Sequence, residues 1–408
     1  MEESCTFCGQ SKGEVDLLIA GPLGEDGKPK AYICDMCVEY AEEYVQEIRA
    51  EEDEDGEEAD VIKPTLYPMD IKKQLDEYVI GQDAAKRKLA VAVFNHKKRI
   101  AMINRGEDTV EKSNILMVGP SGSGKTLLLK TVTKIADVPC TVANSTSLTE
   151  AGYVGQDVES IFEDLLLAAD GDIERAQQGI VFLDEIDKKA KSKAGNTGRD
   201  ISGEGVQQAL LKLVEGTELM INPDPRNKQP MSLVPFNTKD VLFIAGGAFV
   251  DLADIAKKRA GGSTIGFGAK SKDSEDYEII ADDLVKYGLI REFIGRFPIM
   301  VNLHELDEEM LKRIVTEPKN SIFSQFQELF GVEEIDLEFT DEYLTHLAKT
   351  AHKHKTGARG LRSSLEEDLS TVQFELKAHK SNQVTKIIVG DEGEVKLIRN
   401  EDEGTSKD

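Results

Sequence analysis

A glycine-rich octapeptide set between an apolar run and a helical pattern most constrains this chain. Gly-Pro-Ser-Gly-Ser-Gly-Lys-Thr occupies positions 119–126, after the apolar residues 115–118 and before a helical pattern at 126–135. A strand, a tight turn and a helix start leave backbone N–H groups unpaired at the positive end of the helix dipole. The pattern therefore predicts a triphosphate site, in which Lys125 reaches the β- and γ-phosphates and Thr126 binds Mg²⁺.

A second apolar run ends in two carboxylates. Residues 180–183 are Ile-Val-Phe-Leu, which is typical of a buried parallel strand, and Asp184 and Glu185 follow. Asp184 is placed to hold Mg²⁺ through water, and Glu185 to polarise the water that attacks the γ-phosphate. An acidic pair is by itself more often a solvated strand end, but downstream of a phosphate-binding loop the pattern favours hydrolysis.

Composition limits the class of protein. The chain has 408 residues, 40% of them hydrophobic, which is enough for roughly two to four domains with real cores. Its apolar runs are shorter than the roughly 18 residues that a membrane helix needs, and its first residues lack the pattern of a signal peptide, so we expect a soluble cytoplasmic protein that does not enter membranes. The net charge of −26 argues against a general nucleic-acid binder.

Four of the five cysteines form two C-x2-C pairs, Cys5 with Cys8 and Cys34 with Cys37. Two such pairs place four thiolates for a tetrahedral Zn²⁺ site, and disulfides are disfavoured in a reducing cytoplasm. The spacing leaves an iron site open, although zinc is preferred. Cys140 is expected to be a small buried apolar residue near a strand.

The sequence divides into five segments. Residues 1–48 are too few for a sizeable core, so a metal would stabilise them as a zinc-binding domain. Residues 49–63 are strongly acidic and predict a flexible linker. Residues 64–304 alternate strands with helices, which predicts an α/β domain with a parallel sheet. Residues 305–400 predict a small α-rich (α+β) domain, and residues 401–408 form a polar tail.

Short apolar or β-branched runs predict the strands. Those of the α/β domain are 114–118, 141–143, 180–183 and 241–245. Nucleotide is expected at their carboxyl ends. The small domain is predicted to contain a helix through 322–330, a strand near 335–339, and a hairpin of 385–389 with 395–398.

These features together resemble the ClpX family of AAA+ protein unfoldases, over nearly the whole chain. Further family signatures follow in order: YVIGQ at 78–82, GYVG at 152–155, GEGVQQ at 203–208, IGF at 265–267, EFIGR at 292–296 and GARGLR at 357–362. The two nucleotide motifs are shared by many ATPases. The tyrosine loop, the IGF tripeptide and the four-cysteine module are far more restrictive.

The resemblance implies roles for residues around ATP. Arg296 would reach the γ-phosphate of a neighbouring subunit, and Arg359 would report nucleotide state from the small domain. Val79 and Ile80 would wall the adenine ring. The remaining implied ATP-binding residues are Gly119, Pro120, Ser121, Gly122, Ser123, Gly124, Lys125, Thr126, Leu127 and Asp184. The run 241–245 leads into two glycines, so no polar sensor residue is assigned there.

The resemblance also implies an assembly and partners. A homohexamer would use ATP, Mg²⁺ and Zn²⁺, and its pore loops would carry Tyr153 and Val154, with residues 191–199 as a second loop. Ile265, Gly266 and Phe267 would dock on the ClpP peptidase. Unfolded or tagged proteins and adaptors would be the other partners, and dimerisation of the zinc module is compatible with the resemblance.

The sequence departs from the family pattern at three places. Residues 226–228 are Arg-Asn-Lys where the family commonly has Arg-Lys-His, residues 24–30 are an insertion, and Arg291 replaces a usual proline.

A nucleic-acid or complex remodeller on the same ATPase core is the alternative function, and the acidic balance weighs against it. A non-enzymatic zinc module is disfavoured because the catalytic motifs are intact.

Overall fold

The computed structural model describes residues 4–22, 29–42, 66–149, 156–191, 203–223, 233–261, 279–376 and 384–399. The chain forms two compact units, Met1–Lys63 and Pro64–Asp408, which are described separately. The predicted linker 49–63 and the tail 401–408 lie outside the described residues. Within the described residues, no helix is long and apolar enough to cross a membrane.

The first unit is a small hairpin followed by a helix. Strands β1 (Leu18–Ala20) and β2 (Tyr32–Cys34) pair antiparallel, and residues 35–42 form helix α1. Among the described residues of this unit only Cys5 and Cys34 are fully buried. So little apolar burial cannot hold the unit together without another source of stability.

The second unit contains the remaining elements. Its strands are β3 (Ile115–Val118), β4 (Cys140–Asn144), β5 (Leu148–Thr149), β6 (Gln156–Asp157), β7 (Ile180–Asp184), β8 (Glu218–Ile221), β9 (Val234–Asn237), β10 (Leu242–Gly247), β11 (Ile299–Asn302), β12 (Asp336–Phe339), β13 (Val384–Val389) and β14 (Val395–Arg399). Its helices are α2 (Pro68–Asp76), α3 (Asp83–Asn104), α4 (Lys125–Ile135), α5 (Ser160–Ala168), α6 (Ile173–Gln177), α7 (Glu204–Glu215), α8 (Leu252–Gly261), α9 (Ala281–Tyr287), α10 (Arg291–Gly295), α11 (Glu308–Thr316), α12 (Ile322–Gly331), α13 (Asp341–Lys353) and α14 (Ala358–Leu376).

A five-stranded parallel sheet forms the centre of the large lobe, in the order β11-β3-β10-β7-β4. Alternate side chains of its strands enter two separate cores. Met117 and Phe182 pack with α2, α3 and α4, whereas Leu116 and Phe243 pack with α5, α7 and α10. The lobe is therefore a three-layer α/β domain, and the predicted fold class is confirmed.

The small lobe packs four helices, α11 to α14, with the three-stranded sheet β12-β13-β14. The predicted hairpin is present as the antiparallel pair β13 and β14, while β12 pairs parallel with β13. Tyr343 is fully buried in this core, and its hydroxyl donates to Asp368 at 2.5 Å.

The predicted strands are present with ends shifted by one or two residues, and the sequence missed others. The helix after the phosphate loop begins at Lys125, and β10 continues to Gly247. Cys140 is less buried than the sequence predicted. It opens the edge strand β4 and is only partly covered, although burial raises the pKa of its thiol to about 11.

We predict that one buried histidine makes the large lobe sensitive to acid. His96 donates from Nε2 to the Gln178 carbonyl at 2.9 Å, its Nδ1 has no partner, and burial lowers its pKa from the ordinary 6.5 to about 4. Because the unfolded state binds the proton more readily, stability is complete above pH 6.5 and falls as the pH drops towards 4, by about 2 kcal/mol at pH 5.

The measurement is urea unfolding of wild type and His96→Gln at pH 7 and pH 5. The glutamine can donate to the same carbonyl but does not titrate, so we expect it to lose less stability between the two pH values than wild type. The matched control is His354→Asn at an exposed site. Equal losses in wild type and His96→Gln would contradict the assignment.

Candidate functional site

Four sulfur atoms of the first unit form a cluster. The Sγ atoms of Cys5, Cys8, Cys34 and Cys37 all lie within 4.8 Å of one another. Cys8 and Cys34 are 3.7 Å apart, close to the edge of about 3.8 Å expected for a tetrahedron with Zn–S bonds of about 2.3 Å. The predicted cysteine set is therefore brought together at a spacing that fits zinc.

The four thiols lie so close together that they change one another's protonation. Burial alone would raise the pKa of Cys5, but backbone N–H groups, including that of Cys34 at 3.3 Å from the sulfur, lower it to about 6. The hydrogen bond with Cys34, together with burial, raises the pKa of Cys37 to about 12. Four thiolates so close together need a bound cation to balance their charge, which Zn²⁺ supplies.

The phosphate-binding loop connects β3 to α4. Gly122 and Gly124 have φ angles of +76° and +96°, a conformation that favours glycine. The ammonium of Lys125 donates to the carbonyls of Gly119 at 2.7 Å and Pro120 at 2.9 Å, and burial lowers its pKa. The lysine is thus folded back onto its own loop, where a phosphate would compete for the same donors.

The carboxylates at the end of β7 lie beside this loop. The Thr126 hydroxyl donates to Asp184 Oδ2 at 2.9 Å, so the two predicted Mg²⁺ ligands are neighbours. Glu185 adopts a left-handed conformation with φ of +57°, and its N–H donates to Asp184 Oδ1 at 2.9 Å. A positive φ is uncommon for a residue other than glycine, and such strain clusters at functional sites.

A cavity of about 780 Å³ lies between the two lobes, next to the loop. Val79 and Ile80 contribute its wall from the large lobe, and Ile322 and Ala358 contribute from the small lobe. Leu127, on the first turn of α4, also lines it and keeps 52% of its surface exposed. A cavity of this size suits a nucleotide with its phosphates on the loop.

The loop touches the small lobe directly. A Cβ at Gly122 would lie 2.6 Å from the Thr356 carbonyl oxygen and 3.0 Å from Gly357 Cα, and Ala358 N–H approaches the Gly122 carbonyl at 3.4 Å. Arg359 follows at the start of α14, where its charge contributes to lowering the pKa of Lys125 after the larger effect of burial. The predicted small-domain arginine is thus near the phosphate loop of its own chain.

Arg296 lies elsewhere. It is about half exposed and forms an ion pair with Glu215 at 2.6 Å, while its carbonyl accepts from Asn114 Nδ2 at 2.9 Å. Asn114 precedes β3, whereas the phosphate loop follows β3, so the length of that strand separates Arg296 from the loop. The structure does not bring this arginine to the phosphate loop of its own chain.

Several predicted functional residues lie outside the described residues. They are Tyr153 and Val154, the tripeptide Ile265, Gly266 and Phe267, residues 192–199 of the second loop, and residues 226–228. The segments that flank them are described. Strands β5 and β6 pair parallel on either side of 150–155, and β8 and β9 pair antiparallel on either side of 224–232.

Two polar residues near the site were not singled out from the sequence. Gln82 is buried, and its side-chain amide donates to the His304 carbonyl at 2.8 Å and accepts from the His304 N–H at 3.0 Å. Asp187 is buried beside Gly247, and accepts from the Phe249 N–H at 3.3 Å. Gln82 belongs to the YVIGQ motif, which was the signal available. Asp187 follows the acidic pair and had no distinct signal.

Comparison with known proteins agrees with this architecture. Residues 3–47 match the ClpX C4-type zinc finger, residues 110–300 match the AAA domain of the Cdc48 subfamily, and residues 306–387 match the C-terminal D2-small domain of ClpB protein. The chain is 44% identical to the ATP-dependent Clp protease ATP-binding subunit ClpX of Treponema denticola, over 98% of this chain and 97% of that protein.

We predict that the protein as purified contains one zinc ion per chain, held by the four-cysteine cluster. Cys8→Ser should lose most of the metal, because it removes one of four thiolate ligands from a unit with almost no apolar core. Elemental analysis of gel-filtered protein measures the zinc content. Cys140→Ser is the matched control and should retain it, so full zinc content in Cys8→Ser would contradict the site.

Proposed function

Because this chain belongs to the ClpX family of Clp protease ATP-binding subunits, we propose that it works as a hexameric ring that unfolds proteins. The ring hydrolyses ATP, draws the unfolded chain through an axial pore and delivers it to a ClpP-type peptidase. In this proposal residues 1–48 are the zinc-binding domain, 49–63 the linker, 64–304 the large ATPase domain and 305–400 the small domain.

The observation that most favours a motor is the contact between the phosphate loop and the small lobe. Gly122 touches the backbone of Thr356 and Gly357, and both lobes line the nucleotide cavity. A γ-phosphate that binds to the loop or leaves it would therefore change the position of the small lobe relative to the loop. Binding energy is converted into a change in the angle between rigid bodies, as in hinge motions of other enzymes.

The catalytic roles follow from the site. We propose that Lys125 exchanges the Gly119 and Pro120 carbonyls for the β- and γ-phosphates, and that Thr126 and Asp184 hold Mg²⁺. When bound, the metal neutralises charge on the phosphates during phosphoryl transfer. Glu185, held beside Asp184 by its left-handed backbone, orients the attacking water.

Arg296 acts in this proposal on a neighbouring subunit. Its guanidinium is about half exposed and pairs with the exposed carboxylate of Glu215, away from the phosphate loop of its own chain. A guanidinium supplied from a neighbour stabilises negative charge in the transition state and makes hydrolysis depend on assembly. Arg359 would sense the same phosphate from within the chain.

The substrate and partner contacts are carried over from the family. Tyr153 and Val154 would grip the polypeptide through apolar and backbone contacts that do not depend on its sequence. Ile265, Gly266 and Phe267 would dock on the peptidase, and the zinc module would engage adaptors or a second zinc module. We place the protein in the cytoplasm, with no role for nucleic acid or membrane.

We predict that wild type unfolds a tagged fluorescent protein with ATP, and that Tyr153→Ala loses most of this activity while its ATPase rate stays within about threefold. Removing the aromatic ring weakens the grip on substrate but leaves the phosphate loop and Glu185 unchanged. Loss of native fluorescence under single-turnover conditions measures unfolding, and phosphate release measures hydrolysis.

Two controls complete this experiment. Glu185→Gln should still bind ATP but hydrolyse it at least about a hundredfold more slowly, whereas the exposed Glu174→Gln should behave as wild type. Unfolded protein should stimulate hydrolysis more than DNA does. Stimulation by DNA alone, with no unfolding by wild type, would refute the proposal and favour a nucleic-acid remodeller.

A further inference from the structure

A buried ammonium group lies behind the cavity wall formed by Val79 and Ile80. Lys86, on the first turn of α3, keeps only 3% of its side chain exposed and bonds the Asp76 carboxylate at 2.7 Å. Its Nζ also donates to the backbone carbonyl of Val79. The lysine does not line the cavity, so it can act on a nucleotide only through the wall that it holds.

A small charge network keeps this lysine in place. Asp76, the last residue of α2, accepts from both Lys72 and Lys86, and Lys72 also pairs with Asp83 at 2.9 Å. Burial alone would raise the pKa of Asp76, but the two lysine hydrogen bonds lower it. A buried ammonium is stable only when it is paired and hydrogen-bonded, and Asp76 with the Val79 carbonyl meets that need.

The segment is also fixed at its other end. Gln82 adopts a left-handed conformation at the start of α3, with φ of +57°. Its amide bonds both backbone groups of His304 and approaches the Ser123 carbonyl of the phosphate loop at 3.4 Å. The backbone from Val79 to Gln82 is therefore held between two anchors.

Ile80, between these anchors, carries a free pair of backbone groups. It lines the cavity and is 93% buried, yet within the described part of the chain neither its N–H nor its C=O has a hydrogen-bond partner. Buried backbone groups are nearly always paired, so these two are available to a ligand. Adenine offers an acceptor, N1, beside a donor, the 6-amino group, whereas guanine offers N1–H and O6 in the reverse order.

We propose that Lys86 is a positioning residue for selection of the base. By holding the Val79 carbonyl, Lys86 fixes the peptide that also carries the Ile80 N–H, so that Ile80 donates to N1 and accepts from the 6-amino group of adenine. Guanine in the same place would set donor against donor and acceptor against acceptor. This inference deepens the proposed function, because it concerns the base end of the same ATP site.

The test compares hydrolysis of ATP, GTP and purine riboside triphosphate, which lacks the 6-amino group, by wild type, Lys86→Met and Lys72→Met. We expect the ratio of kcat/KM for ATP to that for GTP to fall at least about tenfold in Lys86→Met, mainly through KM for ATP. Lys72→Met removes a charge from the same network but no contact to Val79. It should keep the ratio within about threefold of wild type.

Removal of the 6-amino group gives a second reading of the same contact. It should cost wild type several-fold in kcat/KM and cost Lys86→Met much less, because a base that is no longer aligned on the Ile80 N–H also loses its alignment with the Ile80 carbonyl. If Lys86 had a purely structural role, Lys86→Met would lower kcat/KM for all three nucleotides by the same factor. A folded Lys86→Met that keeps both the ATP/GTP ratio and the full 6-amino effect would overturn the proposal.

A further variant covers the case in which Lys86→Met does not fold, as judged by circular dichroism. Asp76→Asn keeps Lys86 but removes its ionic anchor, and it should reduce the ATP/GTP ratio in the same direction. An unchanged ratio in that variant would also overturn the proposal. If wild type hydrolyses ATP selectively but unfolds no protein, the proposed function fails while the role of Lys86 stands.

Discussion

The backbone of Gly122 lies against the backbone of Thr356 and Gly357, and there is no room between them for even one side-chain carbon. This contact joins the phosphate loop of the large lobe to the start of α14 in the small lobe. The nucleotide cavity lies alongside it, walled by both lobes. The role proposed for Arg359 and the proposed conversion of hydrolysis into movement both depend on this close approach.

Two side chains anchor the segment that lines the cavity from the large lobe. Lys86 and Gln82 hold the short segment that walls the cavity, and Gln82 bonds His304, which is 222 residues away in sequence. The contact of Lys86 with Val79 spans seven residues, whereas the contact of Gln82 with His304 joins distant parts of the chain. The contacts that shape the phosphate end of the site, at Lys125 and Thr126, come from the loop itself and from β7.

The sequence could predict those parts of the site that local patterns determine. The phosphate loop, the strand with Asp184 and the cysteine cluster are local patterns, and glycine conformation, strand periodicity and metal-ligand spacing determine them. Strand β11 was missed because residues 299–302 are only four residues long and are a strand through pairing with β3. Cys140 is less buried than expected because β4 is the edge of the sheet. Neither property is encoded in a local pattern.

In the proposed mechanism, the nucleotide state changes the angle between the two lobes. The most direct measurement is the distance between spin labels attached to unnatural amino acids at Glu174 in the large lobe and Val332 in the small lobe, both of which are exposed. Labelling through unnatural amino acids leaves the cysteine thiols unmodified. Double electron–electron resonance should give different distance distributions for Glu185→Gln with ATP and for wild type with ADP. Identical distributions, in protein that still binds both nucleotides, would contradict the account.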